Sequence, residues 1–288
     1  CTPERLFQVA SSLPSSYVKC NSNKTTMVIS EALAGTRQRG STPQADQELS
    51  RQLLASAKDQ KENQITGHFI TQVFEEMIDR GWVDKSDRDY SQTDDVIYGN
   101  SNTKGRYFVR RLRHLQHICQ QFQCRLSSSV VIKDVIRYLL TALHPTPAVG
   151  GYPKNPAMNF IRQYESIGFD RGYYSGPIGY VGREEAEIFV AIRSGLISRG
   201  SQSLNNFDLL AAKTNMESDN TRPIVYVFAG AGIVPGSEVQ DEWSETSYKL
   251  AVVSSIFPQS PFTFQNALNP NIAWSTAFIE ELVRNEIT

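Results

Sequence analysis

Residues 49–78 read LSRQLLASAKDQKENQITGHFITQVFEEMI. Apolar side chains at Leu53, Ile65, Phe69, Ile70, Val73, Phe74 and Met77 recur mostly at spacings of three and four, the stripe of an amphipathic helix that buries one face. Upstream, Thr42 followed by Pro43 is a start signal, because proline's fixed φ and missing donor suit a first helical turn. Gly81 ends the pattern, so the spacing predicts one long helix closing there. Two more helices are predicted, over residues 129–143 and over residues 155–165, where Met158, Ile161 and Tyr164 share a face. Short runs of β-branched and aromatic residues predict strands over 187–197 and 223–228. Helices and strands mix without a regular βαβ period, which predicts a layered α+β fold and not a doubly wound sheet. The polar, turn-rich stretches 84–105 and 198–222 read as surface insertions.

Composition narrows the function. The 288 residues carry 29 Lys+Arg against 30 Asp+Glu, a formal charge of -1. That balance removes the electrostatic case for nucleic acid or a membrane surface as partner. Apolar residues make up 40% of the chain, enough for a sizeable core. The most apolar stretch, residues 130–143, is interrupted by Lys133, Asp134 and Arg137, short of the roughly 20 residues that span a bilayer. The four cysteines, Cys1, Cys20, Cys119 and Cys124, show no CxxC spacing, so a structural zinc site is not expected and a reducing compartment suits them. The chain opens on Cys1, which predicts an excerpt whose domain lacks its N-terminal part.

Three places offer chemistry. Within Lys58-Asp59-Gln60-Lys61-Glu62, Glu62 sits at the edge of the helical stripe, where a carboxylate can point into a pocket; a solvated helix face is the commoner use of such a run. Near the other end, Tyr226-Val227-Phe228-Ala229-Gly230-Ala231-Gly232 runs from a strand into a glycine-rich turn. Pro235 occupies the third glycine's place of a dinucleotide fingerprint and no βαβ unit surrounds it. Beyond it, Glu242, Glu245 and Lys249 share one helical face near glycine amides, and hard oxygen donors of that kind suit Mg2+ bridging to a substrate carboxylate or phosphate. The third place is His144-Pro145-Thr146-Pro147-Ala148, stiffened by its prolines, in which His144 is either a hydrogen-bonded structural residue or a ligand contact. Arg193, in the apolar run Phe189-Val190-Ala191-Ile192-Arg193, needs an anionic partner if buried, and a ligand carboxylate would serve. The basic run Arg110, Arg111, Arg113, His114 reads as a solvated helix face in preference to a phosphate site, and the Gln116-His117 pair as structural.

Taken in order, Thr2-Pro3-Glu4-Arg5-Leu6, Glu31-Ala32-Leu33-Ala34-Gly35-Thr36-Arg37, residues 56–62, residues 144–151, Asp170-Arg171-Gly172-Tyr173-Tyr174-Ser175-Gly176, Arg193 and residues 228–249 resemble the motifs of the chorismate-binding enzymes. The resemblance covers residues 1–257, and the HPTPA string is most similar to the isochorismate synthase branch. It implies the chorismate-utilising fold of mainly antiparallel sheets with flanking helices. It also implies Mg2+ as cofactor and a reaction in which water adds at C2 of chorismate while the C4 hydroxyl departs. By match of motif, Glu4 is the general acid, and Glu62 and Glu245 hold Mg2+ with Glu242 behind them. Gly35, Thr36, His144, Arg193, Gly230 and Lys249 bind substrate. The general-base lysine of the family, about 50 residues ahead of the acid, is expected to lie before Cys1. Residues 258–270 read as a linker. Residues 271–288 resemble the opening helix of a MenD-like domain, the order found in PHYLLO-type fusions of photosynthetic eukaryotes, which implies a plastid setting there and a cytoplasmic one otherwise. A catalytically inactive remnant acting as a scaffold, or another chorismate user such as a salicylate synthase, are the competing readings.

Overall fold

The computed structural model describes residues 4–11, 26–84, 106–165, 171–198 and 224–254. The linker and MenD-like segment of the sequence reading, and nearly all of both polar insertions, lie outside these residues. The chain divides into two compact units, one of residues 2–157 with 175–191 and one containing 158–174 and 192–288. Helix α5 (Lys154–Tyr164) carries the chain from the first to the second.

The first unit is built on six antiparallel strands: β1 (Arg5–Ala10), β2 (Met27–Gln38), β3 (Arg106–Arg111), β4 (Leu115–Arg125), β5 (Pro177–Val181) and β6 (Ala186–Val190), in the order β3-β4-β2-β1-β6-β5. Helices α1 (Pro43–Ala55) and α2 (Ala57–Asp79) pack on β2 and β4. Helix α3 (Ile132–Leu143) packs on α2 and β1, and the short α4 (Pro147–Gly150) on α2. Leu53, Ile70, Met77, Leu139 and Leu143 join Leu6, Ile29 and Ile118 in the core. The second unit holds the hairpin of β7 (Ser194–Ser198) and β8 (Ile224–Phe228), followed by helix α6 (Val239–Ser254). The α+β class and antiparallel pairing agree with the sequence reading.

Several predicted elements are corrected. The single long helix is broken at Ser56, which takes extended angles and caps α2 by accepting a hydrogen bond from Asp59 N on its Oγ. Its two ends stand as read: Thr42 caps α1, and Gly81, at φ +71, follows the last turn of α2. The helix expected from residue 129 starts at Ile132. The strand expected over 187–197 is two strands, interrupted ahead of β7 where Arg193 adopts φ 48. Arg110 and Arg111 lie in β3, with Arg113 and His114 in the turn to β4, so the basic run is not a helix face.

The reason is charge pairing across the sheet. Glu31 on β2 has a fully buried side chain, and Arg110 grips both of its oxygens at 2.6 and 2.7 Å. Arg5 reaches Glu31 at 3.4 Å and also donates to Glu187 on β6 at 3.1 and 3.2 Å. A carboxylate taken out of water costs several kcal/mol, and two guanidinium partners offset that cost. Burial first, and the Glu31 charge second, push the Cys119 thiol up to about 12, so it stays neutral and unreactive.

A similar pair docks α1, which buries only Asp46, Ser50 and Leu53. Asp46 accepts from Arg39 Nε and Nη2 at 2.7 and 2.9 Å and from Gly40 N at 2.9 Å. The Arg39 hydrogen bonds, then the Gly40 amide, lower the Asp46 carboxyl from 3.8 to about 2. A folded-state pKa below the unfolded one means the folded protein binds fewer protons, so this stabilisation is complete above 3.8 and is lost as pH falls through about 2. Urea unfolding midpoints are expected to drop across that window in the wild-type chain. In Asp46→Asn they should start lower at neutral pH and change less; a variant profile parallel to wild type would remove Asp46 from the acid limb.

Candidate active site

Glu4 stands just before β1, almost wholly buried, and its backbone carbonyl accepts from Val190 N at 3.0 Å, which ties it to β6. Its carboxylate Oε1 receives a hydrogen bond from the buried Thr146 Oγ1 at 3.4 Å. The rigid proline segment thus delivers a hydroxyl to an acid 142 residues away in sequence. His144, two residues earlier, has a buried Nδ1 with no hydrogen-bond partner, so the satisfied structural histidine of the sequence reading is not what is found. Burial, and then the nearby Lys154 charge, lower its pKa, leaving a neutral ring at neutral pH. Lys154 Nζ donates to the His144 carbonyl at 2.9 Å.

Gly35 and Thr36 occupy a bulge in β2, where the register against β4 shifts between Ala34 and Thr36. Gly35 has φ +74, and a Cβ there would lie 2.8 Å from Asp59 Cβ, so both the backbone angle and the close approach of α2 require glycine. Asp59 accepts from Arg37 Nη2 at 2.8 Å, and Arg37 Nη1 donates to Thr36 O at 2.7 Å, which fastens the bulge to the first turn of α2. His117 Nδ1 lies 3.1 Å from Gly35 O and 3.2 Å from Thr36 Oγ1. Glu62 follows Asp59 by three residues and is half-buried. Asp59 escaped the sequence reading although the signal was there: Ser56 with an acid three residues on is a helix-start pattern, which turns Asp59 inward.

In the second unit, the glycine-rich turn leads into α6. Ser237 Oγ accepts from Val234 N at 3.1 Å and donates to the buried Glu242 Oε1 at 2.6 Å, holding the turn against the start of the helix. One turn on, Glu245 pairs with Lys249 Nζ at 2.6 Å, and the same ammonium donates to Gly230 O at 2.8 Å. Gly230, Glu245 and Lys249 are therefore brought together. Tyr174 stacks on Phe228 with ring centroids 5.8 Å apart, and its hydroxyl lies 2.8 Å from where a Cβ on Gly230 would sit. Sequence reasoning assigned Tyr174 no role; the glycine that makes room for it was the available signal. Arg171 is held by both oxygens of Glu165, at 2.5 and 2.7 Å. Arg193 is buried and stands directly before β7, outside any strand.

Among the described residues no three His, Cys, Asp or Glu side chains gather as a metal site. Glu62 belongs to the first unit, and Glu242 and Glu245 to the second. The donors in question are carboxylate oxygens, and Glu245 already faces a cation, Lys249, so the donor set has the chemistry that a hard divalent ion takes. No helix among the described residues is long and apolar enough to cross a membrane.

The first unit carries a buried acid and a glycine bulge with a hydroxyl, and the second unit carries its own set of acid, ammonium and guanidinium groups. Comparison with known proteins gives the chain a family. Residues 96–255 match the family profile described as chorismate binding enzyme, and residues 1–94 match a second profile of the same description. The chain belongs to the chorismate-binding enzyme family. It is 34% identical over 250 residues to isochorismate synthase 2, chloroplastic, of Arabidopsis thaliana, covering 87% of this chain and 34% of that protein. It is 33% identical over 226 residues to the salicylate biosynthesis isochorismate synthase of Pseudomonas aeruginosa, covering 78% of this chain and 37% of that protein. Among solved structures, MenF, the menaquinone-specific isochorismate synthase from Escherichia coli, superposes with a TM-score of 0.54 at 27% identity, over 87% of this chain and 43% of that one. The chain thus spans about a third of the length of these two curated relatives.

Arg193 offers a test of what its backbone is for. A non-glycine residue at φ 48 costs about 1 kcal/mol or more. Arg193→Gly removes that strain and Arg193→Ala keeps it. The glycine form should be more stable than the alanine form by about 1 kcal/mol in denaturant titration. Equal stabilities would show that the left-handed turn is not strained.

Proposed function

We propose that the protein is an isochorismate synthase, converting chorismate to isochorismate with Mg2+. The observation that carries the reading is the buried Glu4, gripped through its backbone by β6 and through its carboxylate by Thr146 of the HPTPA segment. The Thr146 hydroxyl and the β6 backbone fix where this carboxyl stands, as a group that passes a proton to a substrate must be fixed. In the reaction Glu4 gives its proton to the C4 hydroxyl, which departs as water while another water adds at C2. The proton released by the adding water is taken by a base that the family resemblance places ahead of Cys1. The substrate carboxylates are received by Arg193, Lys249 and the donors at Gly35, Thr36 and Gly230, with His144 beside Thr146.

Glu62 and Glu245 would hold Mg2+, with Glu242, fixed by Ser237, supporting them. When bound, the ion supplies positive charge that offsets the ring carboxylate of the substrate beside protein carboxylates. Lys249, which pairs with Glu245 and donates to Gly230 O, would turn to a substrate carboxylate when one is bound. A plastid setting accords with the chloroplastic relative, and residues 271–288 are read as the start of a MenD-like domain that would consume the product.

The native protein, with any residues that lie ahead of Cys1, is to be incubated with chorismate and Mg2+ and its products separated by chromatography with mass detection. Isochorismate is the expected product, formed only with Mg2+ and slowed about 100-fold or more in Glu4→Gln with chorismate affinity kept. Formation of salicylate or an amino-substituted product would overturn the assignment, and so would full activity of the Glu4→Gln variant.

A further inference from the structure

The position of His117 has a consequence that the proposed reaction does not use. The ring sits in β4 opposite Thr36, 1% exposed, with one nitrogen, Nδ1, in reach of two oxygens at once. The two oxygens differ in what they can do. Gly35 O is a carbonyl and can only accept, so a ring nitrogen 3.1 Å away must carry a proton; an unprotonated Nδ1 would set two lone pairs against each other. That proton is shared with Thr36 Oγ1 at 3.2 Å, which makes the hydroxyl oxygen an acceptor on its inner side. The hydroxyl's own proton then has to point away from the ring. Thr36 is half-buried and not fully enclosed.

We propose that His117 is a positioning residue: its Nδ1–H, held between the Gly35 carbonyl and the Thr36 hydroxyl, fixes that hydroxyl as a donor toward a bound carboxylate. The choice of histidine follows from the bulge. A regular β2–β4 pairing would turn the Gly35 carbonyl into the ladder, whereas the register shift at Gly35 leaves it for a side chain to satisfy. Arg37 and Asp59 hold the bulge from the helix side, and His117 holds it from the sheet side. The hydroxyl is thus oriented before any ligand arrives, which removes an ordering cost from binding. The ligand class, a carboxylate of chorismate, rests on the reading under Proposed function; the tautomer does not.

Two measurements separate the claims. In the full chain labelled with 15N-histidine, long-range 1H–15N correlation spectra should show His117 as a neutral ring protonated at Nδ1, identified by its disappearance in His117→Asn. A ring protonated at Nε2 alone would overturn the proposal, and should His117→Asn fail to fold, His68→Gln, His114→Gln and His144→Gln identify the His117 signal by elimination. Chorismate affinity supplies the second. His117→Asn keeps an N–H where Nδ1 stood and should bind within a few-fold of wild type, while His117→Gln, whose amide falls at the Nε2 position, and His117→Ala should each weaken binding about tenfold. Thr36→Val should cost as much as His117→Ala, and the two together no more than either alone. Rescue by glutamine and not by asparagine would overturn the positioning role. Absence of chorismate binding to the wild-type chain would instead overturn the functional reading, with the tautomer still deciding the role of His117.

Discussion

The pairing of β2 with β4 is the constraint on which the rest of the first unit depends. It runs from Met27 opposite Arg125 to Gln38 opposite Leu115, and its one irregularity, at Gly35, is where the candidate binding groups emerge. The same two strands seat α2: Asn63 Nδ2 donates to Ala32 O and to Ile118 O, one carbonyl from each strand, at 3.1 and 3.2 Å. Gly67, one turn further, lies so close to Gln120 that an added Cβ would meet its Oε1 at 2.2 Å. Because the helix is pinned to both strands, Asp59 arrives against Gly35, and the bulge is closed from above by a carboxylate and from below by an imidazole. Removing the bulge would flip every following β2 side chain to the other face of the sheet.

Charge burial runs through the whole unit and gives it a division of labour. Glu4, just before β1, and Arg5, the first residue of β1, are neighbours with different partners. Arg5 belongs to a ladder with Glu31, Arg110 and Glu187 that ties four strands together, and its partners are satisfied. Glu4 accepts from the Thr146 hydroxyl, which ties it to the proline-stiffened segment. In the second unit, on α6, Glu242 accepts from Ser237 and Glu245 pairs with Lys249.

Legibility in the sequence followed the physics of each element. Helices α1 and α2 were visible because one face of each meets the sheet, and the apolar stripe survived; the break at Ser56 was hidden because a capping serine leaves the periodicity unchanged. The central strand β2 was invisible to pattern. Met27 to Gly35 are buried on both faces, so no alternation marks them, and a glutamate in the middle argues against a core strand until Arg110 is found 79 residues away. Arg193 was misplaced because a positive φ in arginine has no local signal. Motif order supplied what periodicity could not: the acid, the bulge and the α6 carboxylates were named from resemblance. The contacts of Thr146, Asp59 and Tyr174 join residues far apart in the chain and came only from the fold.

The proposed Mg2+ site would require Glu62 from α2 and Glu245 from α6 to share one divalent ion with a chorismate carboxylate. Electron paramagnetic resonance of Mn2+, used as a spin-active replacement for Mg2+, tests it most directly in the presence of chorismate. The account predicts one tightly bound ion per chain, lost alike in Glu62→Ala and in Glu245→Ala, and displaced by added Mg2+. Retention of the bound signal in either variant, or two independent weak sites each abolished by one substitution, would contradict it.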